Sequence, residues 1–96
     1  MKISYAALQA ALREKPAPAQ IDGLTAAQRF FLSWATVWRE SMRPESKRML
    51  VQTNPHSPAE FRVNGPCSNL EEFAKAFAPP AGSPMLRPAE IRVEIW

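Results

Sequence analysis

A single histidine, His56, and a single cysteine, Cys67, are the whole stock of imidazole and thiol ligands in this 96-residue chain. One histidine excludes by counting any H-E-x-x-H zinc helix, which needs two imidazoles a turn apart. One cysteine excludes an internal disulfide. Cys67 lies between Pro66 and Ser68 with no ligand residue beside it, and it reads as a packed or idle thiol rather than a nucleophile. No apolar run approaches the roughly 18 residues that span a bilayer, and the N-terminus lacks the charged-then-apolar plan of a secretory signal. No stretch repeats internally. A basic stripe is missing too. The 12 basic residues are scattered among 9 acidic ones, Lys47-Arg48 is the sole adjacent basic pair, and no aromatic-interleaved basic run accompanies it. The net charge of +3 therefore points to no nucleic-acid partner.

Proline, by contrast, is plentiful: 10 residues, clustered at positions 15–19, around His56 and at 78–88. They punctuate short helices. Tyr5, Leu8, Ala11 and Leu12 stand at helical spacing over Ile3–Glu14, and Pro16-Ala17-Pro18-Ala19 breaks that pattern. Thr25 and Gln28 form a capping box opening a longer helix that the apolar spacing of Phe30, Phe31, Trp34, Val37 and Trp38 carries to Met42. Its aromatic stripe reads as core rather than as a ligand platform. Pro44 begins a helix to about Gln52, with Met49, Leu50 and Val51 for burial. Ser68 and Glu71 form a further capping box ahead of a helix to Phe77, lined by Leu70, Phe73, Ala74 and Phe77. The loop 79–84 is rigid and polar. Ile91, Val93 and Ile95 then alternate with Arg92, Glu94 and Trp96, as in a short strand or an extended tail. The expected fold is mainly α, short helices packed around one long one, with hydrophobic residues at 46% sufficient for one modest core.

His56 falls inside the most structured of these connections. Thr53-Asn54-Pro55 is a turn delivering it, Ser57 is a good N-cap, Pro58 suits the first helical position, and Glu60 completes a capping box. Asn64-Gly65 should end the helix so begun, and Asn64 and Asn69 read as cap and turn residues. That arrangement places an imidazole at a positive helix N-terminus and Arg62 about one and a half turns on, so that both could face one substrate. An imidazole can stabilise a developing oxyanion, and a guanidinium can grip a carbonyl or carboxylate. On spacing alone the plainer alternative stands beside this: a histidine decorating a turn and an arginine as a solvated helix charge.

A family resemblance weighs toward the first reading. In order, the chain carries Ile3-Ser4-Tyr5-Ala6-Ala7-Leu8, Ile21-Asp22-Gly23-Leu24-Thr25, Gln28-Arg29-Phe30-Phe31-Leu32, Trp38-Arg39, His56-Ser57-Pro58 and Phe61-Arg62-Val63-Asn64-Gly65-Pro66. Ser68-Asn69, Glu72-Phe73, Ala76-Phe77 and the terminal Arg92-Val93-Glu94-Ile95-Trp96 follow. These blocks resemble the C-terminal end of the neprilysin and endothelin-converting-enzyme family of zinc metallopeptidases, over nearly the whole chain. The resemblance implies that His56 stabilises the tetrahedral intermediate as a proton donor and that Arg62 binds a substrate carbonyl. It implies zinc in an intact parent, held by an H-E-x-x-H helix and an E-x-x-x-D helix that this chain lacks, with Met1 falling after the third ligand. Residues 1–96 are then expected to be the C-terminal fragment of a zincin-type catalytic domain that ends naturally at Trp96. Such a fragment binds no metal and is inactive alone. It is expected to associate with the missing N-terminal part of the domain or with itself through exposed apolar surface. The resemblance further implies a peptide substrate and a periplasmic, extracellular or cell-surface location. The alternative is a stand-alone helical interaction module, an inactive degenerate copy with no use for His56.

Overall fold

In a computed structural model describing residues 1–94, five helices follow one another. They are α1 (Lys2–Glu14), α2 (Ala26–Val37), α3 (Pro44–Thr53), α4 (Ala59–Asn69) and α5 (Glu71–Phe77), with a 3₁₀ turn at Ala89–Ile91. The mainly helical reading holds. Between α1 and α2 the chain reverses through Asp22 and Gly23, both at positive φ, while Ile21 and Leu24 exchange two backbone hydrogen bonds of 3.0 Å. Positive φ at both central residues is what the Asp-Gly pair supplies.

The Thr25 capping box forms as the sequence indicates. The Gln28 amide N–H donates to Thr25 Oγ1 at 3.2 Å, and the Thr25 amide N–H donates to Gln28 Oε1 at 2.9 Å. Gln28 does more, because its Nε2 donates to the Ala76 carbonyl at 3.0 Å and so ties the start of α2 to the end of α5. Between them sits the core. Phe31 is 2% exposed, and Tyr5, Phe30, Phe73 and Phe77 surround it at ring-centroid separations of 5.3 to 6.3 Å.

Three sequence expectations give way to tertiary context. The helix expected to be long, α2, stops at Val37 rather than Met42, and at 12 residues it is no longer than the 13-residue α1. Pro44 forces Arg43 into an extended conformation (φ −64°, ψ 145°), and the chain must turn before it to start α3. The helix after His56 begins at Ala59, with Pro58 and not Ser57 at the cap position, and it does not end at Asn64-Gly65. It runs through Pro66 to Asn69. A proline at that place removes the amide that would bond the Arg62 carbonyl four residues back. The Trp34 indole N–H on α2 donates to that carbonyl instead, at 3.4 Å, so a neighbouring helix partners the orphaned acceptor. Finally, Ser68 caps nothing. It is buried inside α4, donating its hydroxyl to the Gly65 carbonyl at 3.0 Å, and α5 starts without a side-chain cap.

The tail is extended rather than a strand, and among the described residues the chain forms no sheet. Asn69 fastens it. Its Nδ2 donates to the Val93 carbonyl at 2.5 Å and its Oδ1 accepts the Val93 N–H at 2.8 Å, so one amide matches both backbone groups of one residue. That corrects the cap or turn role expected for Asn69. Ile95 and Trp96, with the expectations attached to them, lie outside the described residues.

The chain is loosely compact. Its accessible surface is 7332 Å², against about 5,500 Å² for a folded monomer of its mass. Its radius of gyration is 15.4 Å, against about 12.5 Å for a globular chain of this length. The excess is larger than the roughly 800 Å² that one partner buries in a standard protein–protein interface. Much of it is apolar: Val37 is 76% exposed, Met49 and Val51 are 61% exposed, and Phe61 is 56% exposed.

Candidate functional site

His56 stands on the connection between α3 and α4, three residues ahead of the helix and not at its cap. Asn54 organises it. The Asn54 Oδ1 accepts the His56 backbone N–H at 2.9 Å and lies 3.1 Å from Nδ1 of the ring. An amide oxygen only accepts, so this second contact is a hydrogen bond when Nδ1 carries the proton. Nε2 is then the ring nitrogen left for another molecule, accepting when the ring is neutral and donating when it is charged. The side chain is exposed.

Arg62 lies on the second turn of α4 and is half-buried. Its guanidinium carbon sits 4.4 Å from the centroid of the Trp38 ring, which follows α2 at its C-cap. No carboxylate or carbonyl among the described residues engages its N–H groups. Glu60, two positions earlier, is taken by Lys47 from α3 at 2.6 Å, and the same ammonium lies 5.9 Å from the Phe61 ring centroid. Both partners of that ion pair are substantially exposed, so it links α3 to α4 with about 1 kcal/mol or less.

His56 thus comes from the connection before α4 and Arg62 from α4 itself, and no hydrogen bond joins them among the described residues. Each has its own support, Asn54 for the one and Trp38 for the other. Sequence reading missed both supports. Asn54 was placed only as a turn residue, and Trp34 and Trp38 only as core. The available signal was Pro66: a proline at that point of a continuing helix leaves the Arg62 carbonyl in need of a donor, and an indole is a donor only.

Cys67 is 2% exposed, and burial raises its thiol pKa from 9.0 to about 11. It is a packed residue, inert as a nucleophile at neutral pH.

The profile of peptidase family M13 matches residues 1–93. The chain belongs to peptidase family M13. Neprilysin-1 of Caenorhabditis elegans is 50% identical over 66 residues, which is 69% of this chain and 9% of that protein. Human endothelin-converting enzyme 1 is 41% identical over 98 aligned residues, covering 100% of this chain and 12% of the relative. A zinc metalloprotease of Mycobacterium tuberculosis, Zmp1, solved by cryo-electron microscopy in an open state, superposes with a TM-score of 0.85 at 40% identity. That match covers 94% of this chain and 14% of the solved one. The chain therefore spans about a tenth of the length of the M13 relatives that it matches.

The M13 resemblance carries zinc with it, and the residues here do not suit that ion. Among the described residues no three His, Cys, Asp or Glu side chains gather where they could hold a metal, and the one thiol is buried and protonated. No described helix is long and apolar enough to cross a membrane.

Proposed function

We propose that this chain is the C-terminal portion of the catalytic domain of a neprilysin-like zinc endopeptidase, to which it contributes the oxyanion-stabilising His56 and the substrate-binding Arg62. The observation that carries the reading is the family match across residues 1–93, with both residues inside it. The surroundings of the two residues support it. His56 is exposed and has one ring nitrogen secured by Asn54, so in the protonated ring the other can donate toward oxygen as negative charge builds on a peptide carbonyl. Arg62 keeps its fork of donors available for a carbonyl that is present before the transition state as well as in it. Zinc and its ligands belong to the rest of the parent chain. Alone, this segment binds no metal and hydrolyses nothing.

The excess surface gives the same reading a physical basis. The apolar residues on α3, on α4 and at the end of α2 are the face against which the remainder of the domain packs, and in the isolated chain they drive self-association. The parent acts on peptides outside the cytoplasm, in the periplasm or at a cell surface.

The test is kinetic, in the full-length peptidase. His56→Ala should lower kcat by about a hundred- to a thousandfold, the effect of losing one oxyanion donor. Arg62→Ala should raise KM by about ten- to a hundredfold, as expected for one charge-assisted hydrogen bond, and leave kcat nearly unchanged. Unchanged kcat in His56→Ala would remove its role, and a pure kcat effect in Arg62→Ala would contradict substrate gripping.

A further inference from the structure

Arg62 is held at two points by one face of α2. At its main chain, the carbonyl freed by Pro66 accepts from the Trp34 indole at 3.4 Å. At its head, the guanidinium lies 4.4 Å from the centre of the Trp38 ring. The two indoles stand one helical turn apart, their centroids separated by 6.4 Å. The contact at the head is of a particular kind. A guanidinium held over an aromatic face spends none of its N–H donors on an acceptor oxygen, whereas a carboxylate would consume them. The nearest acid in sequence, Glu60, is already held by Lys47 at 2.6 Å. The Trp38 N–H, meanwhile, is buried and makes no hydrogen bond among the described residues. A donor left orphaned is costly in itself, so what Trp38 contributes is its ring face.

We propose that Trp38 is a positioning residue for Arg62, stacking on the guanidinium so that its donors stay aimed outward and free for a substrate carbonyl. The inference rests on the reading of Arg62 as a substrate-binding group and adds the residue that orients it. It also assigns Trp34 and Pro66 a joint part, fixing the backbone from which that side chain springs.

A double-mutant cycle in the full-length peptidase separates this inference from the reading beneath it. Trp38→Leu should raise KM by roughly three- to thirtyfold with kcat little changed, the range expected for one cation–π contact. In the Arg62→Ala background the same substitution should alter KM by less than about twofold, because nothing is left to position. Trp38→Phe, which keeps a ring and discards the orphaned N–H, should restore most of the affinity. Trp38→Met, similar in reach but lacking a ring face, replaces Trp38→Leu if that variant does not fold. An equal rise in KM with and without Arg62 would overturn the proposal, since Trp38 would then act independently of the guanidinium. So would an unchanged KM in Trp38→Leu beside a large effect of Arg62→Ala, which leaves the role of Arg62 standing. An Arg62→Ala enzyme of normal KM would instead remove the reading of Arg62 itself, and the positioning role with it.

Discussion

The two sides of α2 are built differently. One side looks inward to Phe31, enclosed by Tyr5, Phe30, Phe73 and Phe77, and is stitched by Gln28 from the Thr25 cap to the Ala76 carbonyl. The other side carries Trp34 and Trp38 toward α4 and Arg62, and beyond them lie α3 and the exposed Met49, Val51 and Phe61. The first side is a finished core. The second leaves large apolar side chains exposed, with the candidate catalytic and binding residues at its edge. The contrast teaches that a chain can fold locally around a small aromatic cluster and still leave a broad apolar surface exposed, which the proposed reading assigns to contact with the rest of a parent domain.

The sharpest way to break this contrast is to attack the finished side. Phe31→Ala should destabilise the isolated chain by about 3–5 kcal/mol, enough to unfold a domain with so small a core, and urea titration followed by circular dichroism reads it. A loss below about 1 kcal/mol would mean that Phe31 does not organise the fold.

A smaller effect comes from Cys67, buried on α4. Its folded pKa is raised, so the folded chain holds its proton where the unfolded chain has lost it. The thiol's contribution is complete below pH 9.0 and disappears as pH rises toward about 11. Unfolding midpoints should therefore fall across that window in the parent chain and stay flatter in Cys67→Ala. Equal slopes would show that burial of the thiol is not what the folded state retains.

The smallest effect is predicted for the open side. Met49→Gln with Val51→Gln should change stability by no more than about 0.5 kcal/mol, while weakening self-association in sedimentation. If these substitutions cost as much as Phe31→Ala, the outer face would be core after all, and the account of a half-built domain would fail.

Much of this was legible in the residues. Period located α1, and Thr25-Gln28 and Pro44 located the starts of α2 and α3 because they act within one turn of chain, whereas the capping boxes read at Ser57 and Ser68 announced α4 and α5 without forming. The aromatic spacing of α2 pointed to the core correctly for Phe31. What was not legible depended on neighbours distant in sequence. Asn64-Gly65 reads as a stop, yet α4 continues because Trp34, far upstream, partners the Arg62 carbonyl that Pro66 orphans. Ser68 reads as a cap, yet burial in α4 turns its hydroxyl back to Gly65. Asn69 reads as a turn residue, and its bonds to Val93 belong to the return of the tail. At the site, local spacing located His56 and Arg62, whereas their supporting contacts required the packing of α2 on α4.

The measurement that bears most directly on the account is the coding sequence immediately upstream of Met1. An open frame encoding H-E-x-x-H, followed by E-x-x-x-D just before this chain, is the result predicted for the C-terminal portion of a zinc peptidase. A stop codon directly upstream would contradict it, leaving a free-standing helical module in which His56 and Arg62 have no peptide bond to act on.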